Sequence, residues 1–351
     1  MTKQIKVGKV KIGGGAPITV QSMTKTDTRD IRATVRQIKE LEAAGCELVR
    51  VAVKDFQAAT AIKKIKRKIK IPLIADIHFD YRLAIAAIEN GADKIRLNPG
   101  NIHKEEQIIE VIRLAKKKKV PIRVGLNSGS VIKIPSSYPL LKGRGIRVGG
   151  NDLVREALDY IKVLEKARFY DIIVSLKTSS VLTTIEAYRE FSKVSRYPLH
   201  LGVTAAGPVA SGLVKSSLGI GILLREGIGD TIRVSLTGHP CEEVIAAKNI
   251  LQALELRKFG PEIISCPTCG RCQVDLQGIV KKIAFSLQSS VFSQKALKIA
   301  IMGCEVNGPG EAKEADIGIA FGKGAGVLFK KGKIIRRVKE KDAIKALFDN
   351  L

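Results

Sequence analysis

The chain has 351 residues and a formal net charge of +26, and 45% of its residues are hydrophobic. That hydrophobic fraction is normal for a packed core and excludes a disordered chain, while six unevenly spaced cysteines do not form the framework of a secreted disulfide-rich domain. No apolar run approaches the ~20 residues of a membrane span, and residues 1–14 contain no apolar signal core. We therefore expect a cytoplasmic globular protein that makes no use of a membrane.

The predicted elements alternate in type along the chain. Short β-branched segments and apolar-periodic segments follow each other across short connections, as in βα units. The predicted strands are 18–23, 48–53, 73–78, 94–98, 122–127, 172–177, 199–204 and 231–236. The predicted helices are 29–44, 56–68, 80–90, 104–118, 151–166, 181–194, 208–226 and 242–256.

Eight such units predict a (β/α)8 TIM barrel, which typically takes about 250 residues. An open doubly wound sheet is the alternative, but no G-x-G-x-x-G motif opens a helix after the first strand. The first 17 residues are predicted to form a hairpin that closes the bottom of the barrel. The barrel domain is placed at residues 1–258.

The chain changes character after the eighth unit. Lys258, Gly260 and Pro261 interrupt the pattern, and a cysteine motif follows. The remaining residues suggest strands at 298–302, 317–320, 326–329 and 333–338, with helices at 274–288 and 340–350. These predict a small α/β domain at 259–351.

The barrel strands carry charged residues where apolar ones are expected. A charged group in a barrel strand costs several kcal/mol unless it is paired or hydrated, and strand ends meet at the face where barrel enzymes react. The polar residues are Arg50, Asp76, His78, Arg96, Asn98, Arg123, Asn127, Lys177, His200, Arg233 and Ser235. Pairing with a carboxylate on a helix explains each cation taken alone, and a hydrogen-bonded position in the core explains His200. Together they favour an anionic small-molecule substrate such as a diphosphate.

The surplus of positive charge has other readings. The densest basic runs, at 63–70, 116–119 and 330–337, are scattered along the chain, and aromatic residues are 5% with no tryptophan. Because single-stranded nucleic acids need aromatic stacking platforms, we predict that the chain does not bind nucleic acid. Two interpretations of the positive charge remain. The basic residues form solvated surfaces, or they attract anionic substrates and acidic partners.

Four cysteines form a metal-ligand pattern. Cys266, Cys269 and Cys272 give C-x2-C-x2-C, and Cys304 follows in MGCEVNGPGEA. Zinc and an iron–sulfur cluster are both compatible with this spacing. The flanking glycines and Pro267 favour iron–sulfur, because they allow backbone N–H groups close to a bulky cluster. Cys46 is predicted to be a core residue. Cys241 lies on the reactive face, where a structural role is favoured over a functional one.

The segments VQSMTKTDTRD, ADIHFD, IRLNPGN, IRVGLNSGS, GIGDTIRVSL, CPTCGRC and NGPGEA together resemble one family, the bacterial two-domain 4-hydroxy-3-methylbut-2-enyl diphosphate synthases. The likeness covers essentially the whole chain. It implies a TIM barrel followed by a cluster domain, in a homodimer that places each cluster domain over the partner's barrel. It also implies an oxidoreductase of isoprenoid biosynthesis that opens and dehydrates 2-C-methyl-D-erythritol 2,4-cyclodiphosphate with two electrons from reduced ferredoxin or flavodoxin.

The resemblance also implies roles for individual residues. A [4Fe–4S] cluster would be held by Cys266, Cys269, Cys304 and Glu311, the carboxylate being an exchangeable ligand that leaves one iron open to the substrate. Cys272 would then be an extra thiol beside the cluster. Contacts to the substrate would come from Arg50, His78, Arg96, Asn98, Arg123, Asn127, Lys177, Arg233 and Ser235.

One position departs from the family pattern. The segment HLGVTAAG has Ala205 where the family has a glutamate proposed to handle protons. A methyl group cannot transfer a proton. The sequence therefore leaves open a catalytically impaired form that still binds cluster and diphosphate. A third hypothesis is a pterin-binding type of barrel with a zinc module.

Overall fold

A computed structural model describes residues 1–127, 129, 149–288, 292, 295–306, 310 and 315–351. The chain forms two compact units, Met1–Arg257 and Lys258–Leu351. In the described part of the chain, no helix has the length and apolar character needed to cross a bilayer.

The first unit begins with an antiparallel hairpin, β1 (Ile5–Val7) and β2 (Val10–Ile12). Ile5, Val7 and Ile12 are buried against Leu48, Ile74 and Ile173, which lie in the amino-terminal halves of three barrel strands. This packing confirms that the hairpin closes the bottom of the barrel.

Eight parallel strands follow, in the spatial order β8-β7-β6-β5-β4-β3-β10-β9. A parallel bridge between Val174 and Leu199 joins the two ends, so the sheet closes into the predicted barrel. The strands are β3 (Thr19–Met23), β4 (Leu48–Val53), β5 (Leu73–Ile77), β6 (Lys94–Leu97), β7 (Ile122–Asn127), β8 (Ile172–Lys177), β9 (His200–Leu201) and β10 (Thr231–Ile232).

Each barrel strand is followed by a helix. The side chains of Asp30, Asp55 and Ser180 each accept a hydrogen bond from the backbone N–H three residues on, which fixes where three of these helices begin. The helices are α1 (Ile31–Ala44), α2 (Phe56–Lys66), α3 (Tyr81–Glu89), α4 (Glu105–Lys118), α5 (Gly150–Lys166), α6 (Val181–Val194), α7 (Val209–Arg225) and α8 (Pro240–Ala253).

Two predicted strands were too long. The ladder of β9 ends at Leu201 and that of β10 ends at Ile232, so Arg233 and Ser235 lie in the segment after β10. The chain leaves the ladder at Gly202, where a side chain would lie 2.5 Å from the carbonyl oxygen of Arg233. Arg233 N–H still donates to the Leu201 carbonyl, so its position on the barrel wall is kept.

The second unit is built on one mixed five-stranded sheet, in the order β11-β12-β13-β14-β15. Its strands are β11 (Glu262–Ser265), β12 (Lys298–Met302), β13 (Ile317–Gly322), β14 (Ala325–Lys330) and β15 (Lys333–Lys339). The first three strands are parallel and the last two pairs antiparallel. Helix α9 (Leu276–Gln288) and a terminal helix α10 (Ala343–Phe348), preceded by a 3-10 turn at Glu340–Asp342, cover its core.

Candidate functional site: a cationic barrel mouth and a thiol cluster

Side chains at alternate positions of the barrel strands form a cluster of cations inside the barrel. The period of two in a strand turns every second side chain inward, and Arg96 on β6 is in register with Arg123 on β7. The cluster, called the cationic mouth below, consists of Arg50, Lys94, Arg96, Arg123, Lys177 and Arg233. Lys94, Arg96, Arg123 and Lys177 are buried, whereas Arg50 and Arg233 are partly buried.

Asp76 on β5 is the acid nearest the centre of this cluster. Its carboxylate lies 3.3 Å from Nη1 of Arg96 and 3.7 Å from Nε of Arg50. Burial raises the pKa of Asp76, but Arg50, His78 and Arg96 outweigh it and hold that pKa well below the usual range. Asp76 is therefore ionised, and because an ionised carboxylate only accepts hydrogen bonds, Nε2 of His78 is the donor across 3.2 Å.

Glu243 on α8 supplies a second buried carboxylate. Its Oε2 accepts a hydrogen bond from the Ser22 hydroxyl at 3.1 Å and lies 3.7 Å from Nη2 of Arg233. Its Oε1 accepts from the backbone N–H of Leu236 and lies 3.3 Å from Nζ of Lys25. The side chain is 1% exposed, so Glu243 fixes the segment that carries Arg233.

Two carboxylates do not balance six cations. Among the described residues, Nζ of Lys94, Nε and Nη1 of Arg123 and Nε of Arg233 are buried without a hydrogen-bond partner. Residues 128–148, which follow β7, contain no Asp or Glu in their sequence. Buried donors without partners are costly, so the cationic mouth is built to receive an anion.

The burial of these cations lowers their pKa values. Burial, followed by the neighbouring arginines, lowers the pKa of Lys177 and Lys94 well below the ordinary value. Burial likewise lowers the pKa of Arg233 to about 10. Because arginine keeps its proton in proteins, the lysines are the groups that relieve the repulsion by becoming neutral.

A polar layer lies deeper in the barrel. His200 is fully buried with Nε2 unpartnered among the described residues, and burial followed by Lys177, Arg123 and other cations lowers its pKa well below the ordinary value. Both amide atoms of Gln21 are also buried without a partner. His200 is thus a neutral interior group.

The other predicted barrel residues lie around the mouth with different local roles. Asn98 is buried and its side-chain oxygen accepts from Gly100 N–H, which shapes its loop. Asn127 accepts a hydrogen bond from the Thr204 hydroxyl at 3.4 Å. Ser235 is partly buried, and Ala205 is exposed on the turn after β9 with a left-handed φ of 51°.

The described cysteines of the second unit lie where two neighbouring parallel strands end. Cys266 follows β11 and Cys304 lies two residues after β12, and Gly303 N–H donates to the Cys266 sulfur at 3.2 Å. Cys269 is exposed and Cys304 is buried, and none of the six cysteines, all of which are described, forms a disulfide. Among the described residues no three His, Cys, Asp or Glu side chains converge tightly enough to hold a single metal ion.

This donor set fits a cluster better than one zinc ion. Soft thiolates and a backbone N–H directed at a ligand sulfur are the features that iron–sulfur sites use. Glu311 lies outside the described residues. Cys272 is close to Gly303, and its thiol contacts the Val274 carbonyl at 3.4 Å.

Three charged residues near the mouth were missed by sequence reasoning. Lys94 lies two residues before Arg96 on β6, so the alternation of the strand could have revealed it. Lys25 follows β3 and contacts Glu243. Glu243 lies on a helix, and nothing in its local sequence marks it as an inward-facing acid.

The fold and this site define a TIM-barrel protein with a cluster of buried cations at the carboxyl ends of its strands, joined to a second, thiol-bearing unit. A family model described as the GcpE TIM-barrel domain matches residues 2–248, and the GcpE protein C-terminal domain matches residues 262–351. The chain belongs to the GcpE family, whose members are iron–sulfur oxidoreductases.

Curated relatives match along the full chain. A protein of Thermodesulfovibrio yellowstonii named 4-hydroxy-3-methylbut-2-en-1-yl diphosphate synthase (flavodoxin) is 54% identical over 350 residues, covering 100% of this chain and 98% of that protein. A Clostridium perfringens protein of the same name is 54% identical, with 99% and 97% covered.

Solved structures support the barrel alone. A dihydropteroate synthase of Xanthomonas albilineans has a TM-score of 0.52 at 12% identity and covers 72% of this chain and 98% of its own. The enzyme of Yersinia pestis gives 0.51 at 12%, with 73% and 99% covered. At this identity the likeness carries no pterin activity, and family membership excludes the third hypothesis.

Proposed function

We propose that this chain catalyses the reductive opening and dehydration of 2-C-methyl-D-erythritol 2,4-cyclodiphosphate to 4-hydroxy-3-methylbut-2-enyl diphosphate. Two electrons and one proton are consumed, one C–O bond to the diphosphate breaks, and one water leaves. The full-length relatives carry the name of this activity, and nothing favours a catalytically impaired form.

The observation that carries the proposal is the charge of the cationic mouth. The four arginines of the mouth stay protonated and are opposed by two carboxylates, Asp76 and Glu243, the second of which is shared with Lys25. The mouth therefore keeps at least two positive charges when Lys94 and Lys177 are neutral. A cyclic diphosphate brings two negative charges. Guanidinium forks match phosphate oxygens in geometry, so the buried donors of Arg123 and Arg233 obtain the acceptors that they lack.

The remaining polar residues position the ligand. Asp76 orients Arg96 and the ring of His78, and Glu243 orients Arg233. We propose that Arg50, His78, Arg96, Asn98, Arg123, Asn127, Lys177, Arg233 and Ser235 contact the substrate. Ala205 contributes no proton-transfer group at the position where the family has one.

In the second unit we propose that Cys266, Cys269, Cys304 and Glu311 hold a [4Fe–4S] cluster. When bound, that cluster would supply single electrons to the reaction. The chain's own contribution is the thiol set and the N–H of Gly303 beside the Cys266 sulfur, which stabilises a thiolate ligand.

The proposed function also implies partners for the chain. The names of the relatives favour flavodoxin as the electron donor over ferredoxin, and an acidic donor would be attracted by the charge of +26. Cysteines that form no disulfide suit the reducing cytoplasm. A homodimer remains a prediction from the family resemblance.

A binding measurement on the iron-loaded protein tests the site without turnover. Calorimetric titration of the cyclic diphosphate under anaerobic conditions, without reductant, should give saturable binding at one site per chain. Arg123→Gln should raise the Kd about 100-fold, because a buried charge-assisted contact is lost. The exposed Arg113→Gln on α4 is the matched control and should leave the Kd unchanged. Absence of saturable binding to the wild type would overturn the proposal.

A further inference from the structure

We propose that the cationic mouth takes up a proton together with its anionic ligand, and that Nζ of Lys177 receives it. This inference rests on the proposed function and specifies how the site matches the changing charge of its ligand.

Lys177 is the lysine of the cluster that stands closest to the opening. It is the last residue of β8, at the carboxyl end of the strand where ligands enter a barrel, and it is 8% exposed. A Cβ at Gly202 would lie 2.5 Å from Nζ and 3.2 Å from Cε of Lys177. The amine therefore lies directly over the backbone of Gly202, at a position that only glycine leaves free.

Positive groups face Lys177 from most of the barrel. They are Arg50 on β4, Arg96 on β6, Arg123 on β7 and Arg233 after β10. The neutral His200 on β9 also lies near Lys177. The opposing acids are Asp76 on β5, which is shared by two arginines and His78, and Glu243 on α8, which is shared by Lys25 and Arg233. Burial and these arginines lower the pKa of the Lys177 amine well below its ordinary value, which favours the neutral amine in the ligand-free protein.

Binding of an anion favours the protonated form of the Lys177 amine instead. A diphosphate at the mouth offsets the arginines and offers Lys177 a charge-assisted hydrogen bond, so the amine binds one proton from solvent and becomes an ammonium ion. No other bond changes in this step. Lys94 does not take up this proton, because it lies deeper in the barrel and is 0% exposed. The cost of desolvating its charged form therefore remains when the ligand binds.

The charge of the ligand favours the same assignment. Opening the ring frees a terminal phosphate, whose second ionisation falls near pH ~6, so the ligand changes from two negative charges to three. The ammonium that Lys177 gains when the cyclic form binds is then in place for the additional charge of the ring-opened form.

Proton uptake is measured by calorimetry of the iron-loaded protein with the cyclic diphosphate at pH 8, anaerobically and without reductant, in buffers of different ionisation enthalpy. Both phosphates of the ring lack a second ionisation, so any proton comes to the protein. We expect about one proton taken up per ligand bound, and a Kd that rises about tenfold per pH unit between pH 7 and 9.

Variants identify the group. Lys177→Arg carries a permanent charge and should bind the ligand without proton uptake and with a Kd independent of pH. Lys177→Met removes the amine and covers the case in which an arginine does not fit beside Gly202. It should bind the ligand more weakly, also without proton uptake. Lys117→Met, at an exposed position of α4 outside the mouth, is the control and should keep the wild-type uptake.

The outcomes separate the two proposals. Binding without proton uptake in the wild type, or uptake that persists in both Lys177 variants, contradicts this inference and leaves the proposed function standing. No binding at all contradicts the proposed function itself.

Discussion

The carboxylate of Asp76 on β5 lies 3.3 Å from Nη1 of Arg96 on β6, and both side chains are 4% exposed. The same carboxylate is within 3.7 Å of Arg50 and accepts from His78. One buried acid thus holds three cationic or proton-donating side chains in place. Its charge is nevertheless too small to neutralise them, which leaves the mouth positive.

Replacing this acid should destabilise the ligand-free protein and increase the stabilisation that a ligand provides. We expect Asp76→Asn to lower the free energy of unfolding by about 3 kcal/mol, because removal of one partner leaves buried charges uncompensated. Saturating cyclic diphosphate should then raise the Tm of the variant by more than that of the wild type. Equal stability of the two proteins without ligand would contradict the role given to Asp76.

Replacing the deepest cation should have the opposite effect. Lys94→Met removes a fully buried amine without a partner among the described residues, and should raise the free energy of unfolding at pH 7 by about 2 kcal/mol. Burial and the nearby arginines lower the pKa of Lys94 in the folded state. The unfolded chain therefore binds an additional proton below its own pKa of about 10.4, and the penalty of the wild type shrinks as the pH rises toward that value.

Urea denaturation at pH 7 and pH 9.5 measures this difference. The gap between variant and wild type should be larger at pH 7. Lys117→Met, at an exposed position of α4, is the control and should change the stability by less than about 0.5 kcal/mol. A destabilised Lys94→Met protein would show that the amine has a stabilising partner.

Gly125 on β7 leaves the space that Arg96 occupies. A Cβ at Gly125 would lie 2.5 Å from Nε and 3.2 Å from Cγ of Arg96, whose Nη2 donates to the Gly125 carbonyl at 2.7 Å. Gly125→Ala should displace this guanidinium and raise the Kd for the cyclic diphosphate about tenfold, since a charge-assisted contact is weakened.

The matched control for that prediction is Gly221→Ala on α7, where a Cβ meets nothing within 4 Å. This change should stabilise the helix by up to about 1 kcal/mol and leave the Kd unaltered. Equal Kd values for Gly125→Ala and the wild type would show that Arg96 does not contact the ligand.

The thiols of the second unit should differ in their need for iron. Cys304→Ser should lose the iron and the visible absorption of a cluster, because a hydroxyl is a poor soft ligand. Cys272→Ser should retain about four iron atoms per chain after anaerobic purification, as an extra thiol rather than a ligand. Iron analysis and absorption spectra decide between them, and loss of iron from Cys272→Ser would place that thiol among the ligands.

The barrel was predictable because its signals are local and repeated. The alternation of β-branched and apolar-periodic segments gave all eight units, and the bounds of α4, α6, β4, β7 and β8 lie within one residue of those predicted. Short strands at the rim were harder to predict. The runs at 199–204 and 231–236 have strand-like composition, but the ladder ends at Gly202, where two backbones pass close together. Strand β11 was missed because its four residues follow directly on the break at Gly260 and Pro261.

The site was predictable from the energetic cost of charges in strands, which singled out Arg50, Arg96 and Arg123. The counter-charges could not be found in this way. Glu243 is brought to Ser22 only by the closure of the barrel, since 221 residues separate the two. The ionisation of Lys177 depends on four arginines, on β4, β6, β7 and the segment after β10, and no local pattern encodes that.

The decisive measurement is anaerobic turnover of 2-C-methyl-D-erythritol 2,4-cyclodiphosphate with the iron-loaded protein and reduced flavodoxin, followed by mass spectrometry of the product. We expect 4-hydroxy-3-methylbut-2-enyl diphosphate, with two electrons from flavodoxin consumed per molecule formed. A protein that carries about four iron atoms per chain and binds the cyclic diphosphate, yet returns it unchanged in the presence of the reductant, would contradict it.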